Sequence, residues 1–308
     1  MKFTYLGTAA AEGWPAVFCN CEHCLRAKKA GGRNLRTRSQ ALVNNDLLID
    51  FPGDTFAHML ANGLDLSAVK YCFVTHSHSD HFIPVDVGYR GGCYAHEMTE
   101  PTLTFFGNEK VKNKFEYFGN AYPEDELIGY DFRVLEPFET VTAGDYRVTA
   151  LPACHKPDEK AFVYIIQQGG KTIYYLHDTG MLPDETFEYL QKNPVRADFI
   201  SFDCTYGGIT GQTWGHLGLD TDVLLRERLS QLGIADVNTV CCVNHFSHNG
   251  GLIYDEMRPA AEKLGFLRFA PADGAKSASF CFTGQARGFA GREISCVIDI
   301  GTGTKIRE

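Results

Sequence analysis

Residues 75–81 read THSHSDH and place four potential metal ligands, His76, His78, Asp80 and His81, within six positions. In an extended stretch His76 and His78 share one face. The turn through Ser79 then brings Asp80 and His81 to a neighbouring position. The first pair offers two imidazoles to one cation, and the carboxylate with the remaining imidazole suits a second. Zinc, manganese and iron all accept such nitrogen and oxygen sets, so the motif does not choose among them. A lone histidine is more often merely hydrogen-bonded. Packing four such groups together with no cation is electrostatically unrewarding, which sets this cluster apart.

Further ligands must complete both shells, and each candidate ends an apolar run. His155 follows VTALPAC, Asp178 ends TIYYLHD, and His245 ends VCCVN. An anionic carboxylate at Asp178 could bridge two cations. His177 alternates to the opposite face and reads as a structural residue. A second cluster, C-x-C-x-x-C at Cys19, Cys21 and Cys24, offers three thiolates, a spacing unusual for a reversible dithiol. His23 lies inside that motif as a competing ligand.

The elements that must position these groups follow from periodicity. Residues 2–6 read as a strand, and residues 41–51 as a hairpin turning at Asn44 and Asn45. Residues 54–62 read as a helix with Phe56, Met59 and Leu60 on one side. Residues 71–76 form an apolar β-rich run that stops at the histidine cluster, as a buried strand delivering ligands from its end would. Between 82 and 130 the pattern is mixed, with a strand at 103–106, a helix near 109–118 and an acidic, solvated stretch at 124–126.

Strands are expected at 146–151, 162–167, 172–177, 199–203 and 240–244, and helices at 222–231 and 253–264, the last interrupted or kinked by Pro259. Hairpins followed by strand–helix alternation point to a layered α/β domain. Residues 1–276 are read as one domain. Residues 277–308, with β-like runs at 280–282 and 295–300, form a C-terminal extension packed on it, a candidate to cover the site or build a homodimer.

The chain has 308 residues, 44% of them hydrophobic, and a formal net charge of −9, enough for a large core without crosslinks. The acidic balance argues against a nucleic-acid partner. No run is long enough to cross a membrane, and the opening KFTYLG reads as a strand rather than a leader. Eleven cysteines cannot all pair, so a cytoplasmic protein with metal-binding thiolates is expected. Cys72, Cys154, Cys241 and Cys242 read as small core residues. Cys204 could line the pocket, and Trp14, Tyr206 and Trp214 could be pocket walls or core.

With H-x-H-x-D-H standing at 76–81 and His155, Asp178 and His245 following in order, the sequence resembles the metallo-β-lactamase fold superfamily over nearly all of residues 1–274. The resemblance implies a four-layer αββα sandwich and a two-metal site. The cysteine motif narrows it to something similar to the cyclic-phosphate phosphodiesterases of phosphonate breakdown and, more distantly, the pyrroloquinoline quinone biosynthesis B proteins. It implies that Cys19, Cys21, Cys24 and His248 hold one structural zinc, a closed tetrahedral set suited to pinning a loop. It also implies that His216, in GQTWGHLG, stands beside a departing oxygen, with Asp203 orienting it.

The chemistry expected from that resemblance is hydrolysis of a small or cyclic phosphodiester by metal-activated water. Two divalent cations (zinc or manganese, or iron) do this work, and Asp80 both binds a metal and orients the nucleophile. A thiolester or lactone hydrolase would use the same ligands. A non-catalytic metal-bound carrier like the quinone-biosynthesis relative predicts a damaged ligand set, whereas this one is intact. Redox di-iron relatives carry a carboxylate in place of His81, so the imidazole argues for hydrolysis. No basic arm of the kind used by tRNA-processing relatives is present, which favours a small substrate.

Overall fold

The computed structural model describes residues 1–119 and 129–266, together with the strands Arg268–Phe269, Ser279–Cys281 and Cys296–Asp299. The first half of the chain builds one sheet from β1 (Lys2–Gly7), β2 (Gln40–Val43), β3 (Leu47–Ile49), β4 (Tyr71–Phe73), β5 (Leu103–Gly107) and β6 (Tyr130–Val134). Between these strands the chain forms α1 (Glu22–Ala30), α2 (Thr55–Asn62) and α3 (Glu109–Gly119), of which α1 packs on the second sheet. The second half gives β7 (Thr140–Ala143), β8 (Tyr146–Pro152), β9 (Phe162–Gln168), β10 (Lys171–Leu176), β11 (Phe199–Asp203), β12 (Val240–Asn244) and β13 (Arg268–Phe269). These are joined by α4 (Asp184–Lys192), α5 (Leu219–Gln231) and α6 (Tyr254–Lys263).

The strands β14 (Ser279–Cys281) and β15 (Cys296–Asp299) join the first sheet at its β1 edge, where Phe3 pairs with Ile298. That sheet runs β14-β15-β1-β2-β3-β4-β5-β6, and the other runs β13-β12-β11-β10-β9-β8-β7.

Alternation of side chains along the strands sorts the apolar residues into three cores, which define four layers. Between the sheets lie Phe3, Val43, Ile49, Phe73, Val148, Tyr164, Tyr175 and Phe199. On the outer side of the first sheet Leu42, Leu48, Cys72 and Phe105 meet Val111 and Phe115 of α3. On the outer side of the second, Val163, Tyr174, Ile200 and Val243 meet Cys24 and Ala27 of α1, Leu190 of α4, Leu225 of α5 and Met257 of α6. This is an αββα sandwich.

The strand ends carry the site. β3 pairs parallel with β4, and β10, β11 and β12 run parallel to one another, so their carboxyl ends point the same way. In such sheets the crevice beyond those ends is where ligands are held. β4 stops at Phe73, and the chain beyond it, residues 74–76, is fastened from the other sheet. Tyr164 Oη donates to Val74 O at 2.6 Å, and Phe162 N donates to Thr75 O at 2.9 Å.

Several local readings need correction. In α2 the buried side chains are Thr55 and His58, while Phe56 and Leu60 are 59% and 64% exposed. The polar face wins because His58 Nδ1 donates to Gln40 Oε1 at 2.6 Å, and Gly7, with no Cβ, lets the ring lie against β1. Cys204 is fully buried in the core shared with α5, and Cys154 is partly exposed rather than core. Trp14 is buried and Trp214 is 64% exposed, with Tyr206 between these extremes. β6, β7, α1 and α4 were not anticipated, and Pro259 sits inside α6 without ending it. The acidic stretch at 124–126 lies outside the described residues.

Candidate metal centre

The loop after β4 brings its ligands to those after β8, β10 and β12. His76, His78, His155 and Asp178 form one group whose candidate ligand atoms all lie within 4.8 Å of one another, and Asp80, His81, Asp178 and His245 form a second. In the first, His78 Nδ1 lies 2.8 Å from His76 Nε2 and 3.1 Å from His155 Nε2. Asp178 Oδ2 stands 3.2 Å from His76 Nε2. In the second, His81 Nε2 lies 3.2 Å from His245 Nε2, 3.2 Å from Asp80 Oδ2 and 2.8 Å from Asp178 Oδ2. Asp178 is common to both groups, at the end of β10.

The outward nitrogens of these rings are committed elsewhere, which decides what faces inward. His155 Nδ1 donates to Gly215 O at 3.0 Å. His81 Nδ1 donates to Asp50 Oδ2 at 2.7 Å. With those protons outward, the Nε2 lone pairs of His155 and His81 point at other nitrogens and at carboxylates. Asp178 Oδ1 is buried and makes no hydrogen bond, although His245 Nδ1 is 3.1 Å away. Convergent lone pairs around a buried carboxylate fit divalent cations, and the donor set of imidazoles and carboxylates is one they accept.

The electrostatics point the same way. Burial pulls the His81 pKa down, but Asp178, Asp80 and Asp50 outweigh it and hold it well above its ordinary range. Burial pushes the Asp178 carboxyl up, and His245, His81 and His155 outweigh that, holding it well below the usual carboxylate range. The cluster therefore favours positive charge at its centre. Backbone strain marks the same residues: Asp50, Asp178 and His245 have φ of +66°, +51° and +62°, a region costly for side chains other than glycine and found at functional sites.

Asp203, at the end of β11, is fully buried and ties three segments together. Its oxygens accept from Asp178 N at 2.9 Å, Thr205 N at 3.1 Å and Leu217 N at 3.1 Å. His216 Nδ1 stands 3.2 Å from Asp203 Oδ2 and 3.3 Å from Asp178 Oδ1, with 23% of its side chain exposed. Burial lowers the His216 pKa, yet Asp203, Asp178 and Asp80 raise it to about 9. His177 is buried on the other side, its Nε2 2.6 Å from Ser201 Oγ.

Cys19, Cys21, Cys24 and His248 form a separate candidate metal cluster. His248 Nδ1 lies 3.4 Å from Cys21 Sγ and 3.8 Å from Cys19 Sγ. The Cys24 backbone N–H draws the Cys21 thiol down to about 6, whereas burial pushes Cys24 up to about 12. The fit is good: three sulfurs and one imidazole converge, and Glu12 Oε1 lies 3.5 Å from His248 Nε2, so the other ring nitrogen faces the sulfurs. His23 does not enter the cluster.

Four residues around the site carry no motif of their own. Asp50 holds His81. Thr205 Oγ1 lies 2.8 Å from His245 Nδ1 and 3.1 Å from His216 Nδ1. Glu159 binds the peptide of Ser77 at 2.8 Å, and Glu12 faces His248. Each reaches its histidine or loop across the fold, so local spacing gives no sign of them. A carboxylate closing a strand, as Asp50 does after LLI, was the only available hint.

Two facing sheets flanked by helices, with a His/Asp cluster capable of two cations at one edge, define a metallo-β-lactamase fold hydrolase dependent on metal. A family model described as beta-lactamase superfamily domain matches residues 46–233, and the chain belongs to that family. It is similar to the coenzyme PQQ synthesis protein B of Acinetobacter baylyi, 24% identical over 270 residues that cover 75% of this chain and 86% of that protein. Zinc-bound PqqB from Methylobacterium extorquens superposes with a TM-score of 0.68 at 18% identity, covering 89% of this chain and 98% of that one. A diphosphatase from the PhnP family gives a TM-score of 0.66 at 19% identity, covering 88% and 95%. No helix among the described residues is long and apolar enough to cross a membrane.

Proposed function

We propose that the chain is a dinuclear metal-dependent phosphodiesterase acting on a small or cyclic phosphodiester. The observation that carries this is the pair of ligand groups sharing Asp178, with His216 held at their edge by Asp203. His76, His78 and His155 with Asp178 would hold one cation, and Asp80, His81 and His245 with Asp178 the other. Such cations, zinc or manganese or iron, supply Lewis acidity and a water of lowered pKa. Asp80 and Asp178 offer carboxylate oxygens that orient the attacking water. His216 keeps Nδ1 toward Asp203, so its Nε2 is the nitrogen that gives a proton to the leaving alkoxide.

Cys19, Cys21, Cys24 and His248 would hold a structural zinc that pins residues 10–24 to the chain after β12. Asp80, Asp203 and His216 are the residues to which we assign catalysis. The nine free cysteines among the described residues fit a reducing compartment such as the cytoplasm. The likeness to the diphosphatase of the PhnP family supports phosphoryl chemistry. The PqqB likeness supports a second reading, a metal-bound protein of coenzyme synthesis with no turnover of its own.

A hydrolysis panel run on protein of assayed metal content tests the proposal. It contains 2′,3′- and 3′,5′-cyclic nucleotides, a cyclic ribose phosphate, bis(p-nitrophenyl) phosphate, a thioester and a lactone. Turnover of phosphodiesters that disappears in His78→Ala is expected. With both catalytic metals bound, inactivity on every phosphodiester would remove the reading in favour of the thiolester, lactone or carrier alternatives.

A further inference from the structure

Ser77 separates His76 from His78, and all three of its polar groups are held. Its backbone N–H donates to Glu159 Oε1 at 2.8 Å, its hydroxyl donates to Glu159 Oε2 at 2.6 Å, and its carbonyl accepts from Lys114 Nζ at 2.8 Å. Glu159 is equally saturated. Oε1 also accepts from Asn108 Nδ2 at 2.9 Å and Oε2 from Lys156 Nζ at 3.1 Å. Its side chain has no solvent exposure. A buried carboxylate is costly unless its lone pairs are met, and here four donors meet them.

The position of Glu159 in the chain gives these bonds their meaning. It lies four residues after His155, on the loop between β8 and β9, yet it grips the peptide between the other two imidazoles of the first ligand group. The third anchor is α3. Asn108 caps that helix by accepting from Val111 N at 3.0 Å, donates to Lys160 O at 2.8 Å, and α3 also supplies Lys114. Loop 76–81, loop 153–161 and α3 therefore meet at one carboxylate. Nothing in Glu159 itself faces the space between the imidazoles.

We propose that Glu159 is a positioning residue for the first metal position, fixing His76 and His78 as a pair and docking them against His155 before a cation arrives. The inference rests on the binuclear reading above. Groups that lock ligand-bearing segments typically change metal affinity about 10–100-fold when removed.

The test is a zinc titration of the purified full chain against a competing chelator, with metal stoichiometry and the thermal midpoint of the metal-free protein measured alongside. Glu159→Ala should weaken one of the two His/Asp positions by about 10–100-fold, leaving the other and the Cys/His site as in the wild type. Glu159→Gln, which keeps one oxygen for Ser77 N, should fall between Glu159→Ala and wild type. Wild-type protein binding zinc only at the Cys/His cluster would defeat the binuclear reading itself. Wild type binding at all three positions while Glu159→Ala retains every affinity would overturn the clamp alone. Equal weakening at every position, with a lowered metal-free midpoint, would also overturn it by showing a general structural role. Should Glu159→Ala fail to fold, Ser77→Ala and Lys114→Met each remove one of the bonds. A several-fold loss confined to the same position is expected for both, and wild-type affinity in both would overturn the proposal.

Discussion

His81 and Asp50 are joined by a 2.7 Å hydrogen bond across 31 residues of sequence, with both side chains wholly buried. The other Asp50 oxygen accepts from the Thr75 N–H at 2.8 Å and from its hydroxyl at 2.9 Å. One carboxylate thus sets the tautomer of a candidate ligand histidine and fastens the start of the loop that carries it. The residue does so from a left-handed backbone conformation, φ +66°, in which Asp and Asn are the best tolerated side chains after glycine.

Asp50→Asn should therefore preserve the backbone and lose the electrostatics. The amide can present a donor where His81 now finds an acceptor, turning the ring's lone pair outward. We expect metal affinity at the Asp80, His81, Asp178 and His245 position to fall about 10–100-fold while the first position is little changed. Chelator competition on the variant measures this. Unchanged affinity at both positions would refute the tautomer argument.

Cys21→Ala should remove one zinc and leave two metals. It deletes the thiol whose pKa is drawn down to about 6 by the Cys24 N–H, and three donors no longer close the tetrahedron. His248 stands three residues after His245, so the unpinned loop should also loosen the second catalytic position, by less than about 10-fold for a contact one step removed. Each kcal/mol lost should lower the thermal midpoint by about 2 °C in a domain of this size. Metal counting together with thermal unfolding checks both parts. A wild-type zinc count in the variant would show that the cluster is not a zinc site.

His58 offers a pH dependence away from the metal ligands. Burial depresses its pKa to about 4, against a small opposing pull from Asp54. It sits between Gln40 Oε1 at 2.6 Å and Thr37 Oγ1 at 2.5 Å. The unfolded chain takes up this proton near pH 6.5, as a free histidine does, and the folded chain only near 4. Between those values the unfolded state binds more protons, so stability falls as pH drops from about 6.5 toward 4 and is fully present above that window. The full shift corresponds to about 3 kcal/mol. Denaturant unfolding of wild type and His58→Gln at pH 7 and pH 5 should give a steeper loss for wild type. Parallel slopes would show that His58 is not held neutral.

How much of this was readable in the residues alone follows a physical division. His76, His78, Asp80 and His81 are local, and a six-residue motif at the end of a strand carries its own geometry. His155, Asp178 and His245 were legible because each closes an apolar run, and parallel strands place their carboxyl ends together. The periods of β2, β9, β10, β11 and β12 were strong because they alternate between two buried faces.

Glu159, Thr205, Glu12 and Asp50 act through partners that are distant in sequence, and no local pattern records such a contact. The face that α2 buries is not legible in the sequence for a related reason. Over only eight residues, an apolar set at Phe56, Met59 and Leu60 and a polar set at Thr55 and His58 are both compatible with a helix. The hydrogen bonds to Gln40 and Thr37 decide between them. β6 was hidden by its alternation of half-buried and exposed residues at a sheet edge.

The role assigned to His216 makes the sharpest prediction, because it depends on the leaving group. A proton donor matters most where the departing oxygen is a poor leaving group. His216→Ala should reduce kcat on an alkyl or cyclic ribose-type phosphodiester by about 10²–10⁴-fold, the usual worth of a positioned acid. On bis(p-nitrophenyl) phosphate, whose phenolate departs without help, the loss should be much smaller. Both catalytic metals should remain bound, since the rings of His155 and His245 keep their partners at Gly215 O and Thr205 Oγ1. Asp203→Asn should give the same leaving-group-dependent loss to a smaller extent, by releasing His216 Nδ1. Leaving-group series on the two variants, with metal content measured on the same samples, separate the possibilities. An equal loss on alkyl and aryl esters with full metal occupancy would mean that His216 binds or orients the phosphate, and the proton-donor assignment would be wrong.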